Sequence, residues 1–247
     1  MLFGVAIVSG AINSVAGGGS FLTFPTLIFT GVAPISANAT NNFAMWIGTV
    51  ASVRGYREEV REQSHLLRTA VAVSLVGSII GALLLLHTPA RLFERLIPYL
   101  LLFATLVFAF SPLFTKPHLG AARHHTPIQL LAQFLTAVYG GYFGAGIGFL
   151  MLAILAFSGL PNLNSMNAVK HVLAAAINGV ALIPFIAAGI IQWPQALVMA
   201  FGAILGGYFG SRIGRRIPSS VVRTMVIAIG AAMTLYFFLP HSHRGGT

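Results

Sequence analysis

The sequence predicts an all-α polytopic membrane protein of about eight hydrophobic segments, in two homologous, inverted repeats whose first and fifth segments are broken at glycines. Three observations predict it. The 247 residues are 57% hydrophobic and 7% charged, with a mean hydropathy of +0.87, where a soluble domain carries roughly 25% charge. The apolar residues fall in runs of bilayer-crossing length. The first and fifth runs carry matching glycine clusters at their centres.

The segments run approximately over 2–30, 36–53, 66–86, 95–114, 128–158, 164–187, 193–210 and 219–239. Polar connections lie at 54–65 (RGYREEVREQSH) and 115–127 (TKPHLGAARHHTP). The chain therefore divides into a first transmembrane repeat at 1–114, an inter-repeat loop at 115–127, a second repeat at 128–240 and a tail at 241–247. No basic region precedes the first apolar run, so no signal peptide is expected. Cysteine is absent, which removes disulfides and cysteine nucleophiles.

The repeat rests on ordered matches. Gly18, Phe21, Leu22, Leu27, Phe29 and Gly31 meet Gly146, Phe149, Leu150, Leu155, Phe157 and Gly159, 128 residues on. One residue of slippage later, Ser36, Asn38 and Ala39 meet Ser165, Asn167 and Ala168. The pair Gly77 and Gly81 resembles Gly202 and Gly206, a spacing that packs helices within a chain or between chains.

Loop charge sets the orientation, because Lys and Arg accumulate on the cytoplasmic side. Single crossings by all eight segments leave the two sides nearly balanced. If segments one and five instead dip in and return, Arg54, Arg57, Arg61, Arg68, Lys116, Arg123, Arg212, Arg215, Arg216 and Arg223 share one face, against Arg91, Arg95 and Arg244 on the other. Three true crossings per half then invert the second half, and both termini lie outside the cytoplasm. The alternative is two long, tilted spans. The inverted plan is that of secondary transporters, whose sites form where broken helices meet near the midplane.

Within SVAGGGSF, a half-helix starting near Ser20 presents its first N–H groups and the positive end of its dipole, a natural seat for an anion. Gly17, Gly18 and Gly19 admit close approach, and Ser20 can cap or donate. The second cluster, from Gly140 to Gly148, repeats the device with Gly144, Gly146 and the hydroxyls of Tyr139 and Tyr142. Close helix packing is the competing use of glycine. Asn13 precedes the first cluster; Asn38, Thr40 and Asn41 follow it, with Asn42. Asn167, Lys170, His171 and Asn178 follow the second. Amides in hydrocarbon need partners, so they face a cavity or another helix.

Lys170 is the sole charge deep within an apolar segment, and no acidic residue lies in those segments to pair with it. Asp is absent, and Glu58, Glu59, Glu62 and Glu94 sit in polar connections. Snorkelling to an interface is its bland reading; pairing with a transported anion is the functional one. His171 is a candidate for proton coupling. A buried-carboxylate cation carrier and a Ser-His-acid hydrolase are both excluded, and no nucleic-acid motif accompanies the basic excess. His124, His125, His241 and His243 read as solvated polar ends, so no metal or cofactor is expected.

The run GAINSVAGGGSFLTFPTLIFTG followed by ANATNNF resembles the first half of the TauE/SafE sulfite exporter (TSUP) family, and YGGYFGAGIGFLMLAILAFSGLPNLNSMNAVKHV resembles its second half. The resemblance implies a non-enzymatic permease for small anions, often sulfite or organosulfonates such as sulfoacetate, in the cell inner membrane. On that resemblance Gly17, Gly18, Gly19, Asn38, Thr40 and Asn41 fall on the first motif, and Gly144, Gly146, Gly148, Asn167 and Lys170 on the second. Ala145 and Ile147 interleave the second motif's glycines, so its half-sites are unequal. Expected partners are a small anion, the lipid bilayer, protons as a coupling ion, and other copies in an oligomer. An anion channel and a permease for a non-sulfur organic anion are the alternatives.

Overall fold

The glycine breaks are where helices end. The computed structural model describes residues 1–15, 18–53, 56–114, 126–155, 158, 160, 163–213 and 219–239; among these the regular structure is helical. Segment one is two helices, α1 (Leu2–Val15) and α2 (Ser20–Phe29), and segment five is likewise α7 (Pro127–Tyr142) and α8 (Ile147–Leu155). At 1.5 Å per residue α1 reaches about 21 Å and α2 about 15 Å, so neither alone crosses the roughly 30 Å of hydrocarbon. The other long helices do have that reach: α3 (Pro34–Val53), α5 (Ser64–His87), α6 (Ala90–Phe114), α9 (Leu163–Ala187), α10 (Trp193–Ile213) and α11 (Ser219–Phe238). Two stretches among the described residues, Leu67–His87 and Ser165–Ala187, combine spanning length with strong apolarity. In α3 the run Asn38, Thr40, Asn41 and Asn42 dilutes it. A short helix α4 (Arg57–Glu62) lies within the first polar connection. Most of the inter-repeat loop and all of the tail fall outside the described residues, as do Arg54, Lys116, Arg123, Arg215, Arg216 and Arg244 among the charges used for orientation, and His124, His125, His241 and His243.

The exterior is apolar. Ile80, Leu84, Phe103, Phe110, Ile183 and Phe201 are all exposed, which in water would be a liability and in lipid is the ordinary state.

Helix contacts come in matched pairs. α1 packs on α10 as α7 packs on α5; α3 packs on α10 as α9 packs on α5. Exchanging α1, α2, α3, α5 and α6 for α7, α8, α9, α10 and α11 leaves these pairings intact, with α3–α9 and α6–α11 mapping onto themselves. The two closest interfaces, α1–α10 and α5–α7, are built on glycine. A Cβ on Gly206 would stand 1.9 Å from the Ile7 carbonyl oxygen, and one on Gly81 would stand 2.0 Å from that of Val138. The glycine pairs at 77/81 and 202/206 therefore seat helices within the chain.

Gly144 and Gly146 hold φ of +76° and +79°, a region costly for any residue with a Cβ. Ala145 between them does not, so an alanine is tolerated there. At the first break, the Ser9 hydroxyl donates to the Gly19 carbonyl.

Candidate functional site

The two breaks bracket one cavity of about 370 Å3, its open mouth included. It is lined by Asn13 of α1, Ser20 at the start of α2, Met45 and Thr49 of α3, Gly144, Ile147 and Gly148 at the α7–α8 break, and Lys170, His171, Ala174 and Asn178 of α9. α8 opens at Ile147, whose amide and that of Phe149 donate back to the Gly144 and Gly146 carbonyls at 3.5 and 3.0 Å; the positive end of its dipole meets the cavity there.

Lys170 is 2% exposed. Its Nζ donates to Asn167 Oδ1 at 2.9 Å. An ammonium carries three donors, so this bond leaves capacity for a ligand. The cavity lining contains no acidic residue. His171 is buried and stacks on Tyr56, with ring centroids 5.5 Å apart. Its Nε2 and the Oδ1 of Asn178 have no partner among the described residues. Asn13 Nδ2 donates to Thr49 Oγ1 at 3.5 Å, and the Thr49 hydroxyl donates on to the Met45 carbonyl at 2.8 Å. The cavity thus presents a cation, hydroxyls, amides and a titratable imidazole.

Of the residues singled out from sequence, Asn13, Ser20, Gly144, Gly148, Lys170, His171 and Asn178 line this space. Asn167 acts one step back, as the partner of Lys170. The others hold the frame. Asn38 Nδ2 donates to the Tyr142 carbonyl at 3.0 Å, capping the end of α7. Thr40 Oγ1 accepts the Gln192 amide at 3.0 Å, just ahead of α10. Asn41 Oδ1 accepts from Thr23 Oγ1 at 2.5 Å, tying α2 to α3. Tyr142 OH donates to Thr88 Oγ1 at 3.3 Å. Gly18 and Gly19 are buried, and a Cβ on Gly19 would stand 2.4 Å from the Ser9 carbonyl oxygen. On Gly146 it would stand 2.8 Å from Ala104 Cβ. Gly17 lies outside the described residues.

Tyr139 OH donates to the Ala145 carbonyl at 2.8 Å, inside the second break. Tyr139→Phe removes that brace and leaves a buried carbonyl with one partner fewer. We expect a loss of about 1 kcal/mol of stability, read as a lowered midpoint in thermal unfolding.

Met45, Thr49, Ile147 and Ala174 join the site from the structure. Three pairs among the lining residues occupy repeat-matched positions: Ser20 with Gly148 at an offset of 128, and Met45 with Ala174 and Thr49 with Asn178 at 129. The same offsets that matched the glycine motifs therefore carried the signal. The match fails where charge enters, since Lys170 and His171 line the cavity while Asn41 and Asn42 at the corresponding positions do not.

The family model for sulfite exporter TauE/SafE matches residues 2–237. The chain is 32% identical over 236 residues to the protein named probable membrane transporter protein YfcA of Escherichia coli K12, covering 95% of this chain and 87% of that one. It is 30% identical over 236 residues to a probable membrane transporter protein of Haemophilus influenzae, covering 95% and 92%. Against the probable membrane transporter protein ORF9 of Sinorhizobium sp. it is 26% identical over 248 residues, covering 98% and 93%. No solved structure matches the chain. With the family model spanning both glycine-broken segments and every helix between them, the chain belongs to the TauE/SafE sulfite exporter family of membrane transporters.

Proposed function

We propose that this chain carries a small oxyanion, sulfite or an organosulfonate such as sulfoacetate, across the cell inner membrane by alternating access. One observation carries the reading: the buried ammonium of Lys170 faces a cavity between two broken helices, and no carboxylate lines that cavity. A cation buried without a counter-charge is costly, and a bound anion relieves that cost. An oxyanion also has several acceptors for the Lys170 ammonium, the Ser20 hydroxyl and the start of α8 to meet at once, which a halide lacks.

The interchangeable helix pairings support two inverted repeats with the site between them. Rocking one repeat against the other around the cavity then exposes it to alternate sides. His171, with its Nε2 unpartnered at the cavity, is the candidate for proton coupling.

The test is uptake into vesicles reconstituted with purified protein. Sulfite or sulfoacetate flux that saturates and is stimulated by the same anion on the far side is the expected result. Flux linear in concentration, or equal flux of sulfite, sulfate and chloride, would sink the reading.

A further inference from the structure

We propose that Tyr56 and α4 form a gate over the cavity, on the face that carries the first polar connection. The inference rests on the cavity as the transport site and not on the charge of its ligand. α4 is an addition to the repeat. Between α3 and α5 the chain takes residues 54–63 and builds α4 there, whereas the matching connection between α9 and α10 is residues 188–192, without a helix. The symmetric frame therefore gains one element on one face.

That element lies against the cavity wall. α4 packs on α9, the helix that supplies Lys170, His171, Ala174 and Asn178 to the lining. Val60 of α4 packs against the buried apolar cluster that includes Ile147 and Ala174, both of which face the cavity. Tyr56, at the start of α4, stacks on His171 with ring centroids 5.5 Å apart and planes at 25°. His171 itself lines the cavity, so the Tyr56 ring bears directly on the lining.

The opposite end is closed differently. α5 runs for 24 residues from Ser64, a length of about 36 Å, so Thr88 and Phe93 beyond it lie at the far end from α4. Tyr142 OH donates to Thr88 Oγ1 there. Phe143 meets Phe24 and Phe93 edge to face, with centroids 5.2 and 6.3 Å away. All three rings are buried, and Phe143 adjoins Gly144 of the lining. Parting that pile would expose core to water. On the α4 side the ring that meets the lining is Tyr56, half-buried and carried by a six-residue helix. A single stack is weak enough to open thermally. The α4 side is therefore the one that opens.

The chain has no cysteine, so a single introduced thiol reports access without background. Ala174→Cys places one in the lining, and Ala82→Cys places one in the core cluster of Phe24, Phe93 and Phe143 as a control. The measurement is the labelling rate of purified protein by sulfonatoethyl and aminoethyl methanethiosulfonate. With Ala174→Cys, adding Tyr56→Ala should raise both rates about fivefold, the shift in open population that one lost stack allows. Tyr56→Phe keeps the ring and should keep the rate. His171→Ala should raise the rate too, and combining it with Tyr56→Ala should raise it no further, because the contact is already gone. Should Tyr56→Ala not fold, Tyr56→Leu removes the same stack at closer to constant volume. An unchanged rate in Tyr56→Ala, additive effects of Tyr56→Ala and His171→Ala, or an equal rise with Ala82→Cys would each overturn the gate. A rise in Tyr56→Phe as large as in Tyr56→Ala would do the same. The fold-rise is read for each reagent separately, whereas the ratio of the two absolute rates bears on the anion reading alone.

Discussion

Replacing Lys170 by Met should weaken oxyanion binding about a hundredfold while leaving the ligand-free protein no less stable than the parent. The two halves of that result have one cause. The ammonium is 2% exposed and its protein partner is the neutral Asn167 oxygen at 2.9 Å. Without ligand, the protein bears most of the cost of desolvating a charge, several kcal/mol in real interiors. Methionine fills nearly the same volume with none of that cost. With ligand, the ammonium contributes a charge-assisted hydrogen bond of roughly 1.5–3 kcal/mol, and the low dielectric of the site strengthens the pairing. At 1.4 kcal/mol per decade that amounts to between one and two powers of ten in affinity. Thermal unfolding with and without sulfite or sulfoacetate checks both halves on one sample. An unchanged anion shift would remove Lys170 from the site, and a fall in the ligand-free midpoint would make it a structural residue. Lys170→Arg separates charge from shape. It keeps the cation but needs a planar fork accommodated beside Asn167, so intermediate binding is expected.

The sequence made the first break legible because three consecutive glycines amid thirty uncharged residues read most simply as a helix end. α2 starts at Ser20 for that reason. Lys170 was legible for a second reason: a lone cation in apolar surroundings has few ways to be stable. The asparagines and threonines after the first break were not separable from sequence. Thr40 meets the Gln192 amide and Asn41 meets Thr23, while Thr49, equally modest in sequence, lines the cavity. A polar side chain in lipid must find a partner whether that partner is a helix end or a ligand. Composition registers the need and not the partner, which sits 152 residues away for Thr40. Asn178 shows the converse: its position 129 residues after Thr49 gave a usable signal once the repeat was aligned.

Gly206→Ala and Gly81→Ala should be the most damaging single-methyl additions outside the cavity, each lowering stability by several kcal/mol or preventing accumulation of folded protein. The added Cβ would stand 1.9 Å from the Ile7 carbonyl oxygen in the first case and 2.0 Å from that of Val138 in the second. Both obstacles are backbone, so no rotamer change relieves them, and the helix axes must part. Overpacking in a close-packed interior commonly costs about 1–3 kcal/mol. These two lie beyond that range, because parting α1 from α10 or α5 from α7 also loosens the neighbouring glycine contacts. A Cβ on Gly10 would meet the Ala203 carbonyl oxygen at 2.5 Å, and one on Gly141 would meet that of Ser78 at 2.1 Å. Gly4→Ala is the control, since nothing lies within 4 Å of its Cβ position; alanine's better helix propensity there is worth up to about 1 kcal/mol. Expression as folded, monodisperse protein and the unfolding midpoint are the readouts. α1 and α7 also carry the cavity's two broken ends, so the same substitutions should abolish transport wherever the protein still folds. Retained transport in a folded Gly206→Ala protein would mean that the α1–α10 contact is not what holds the first break in place.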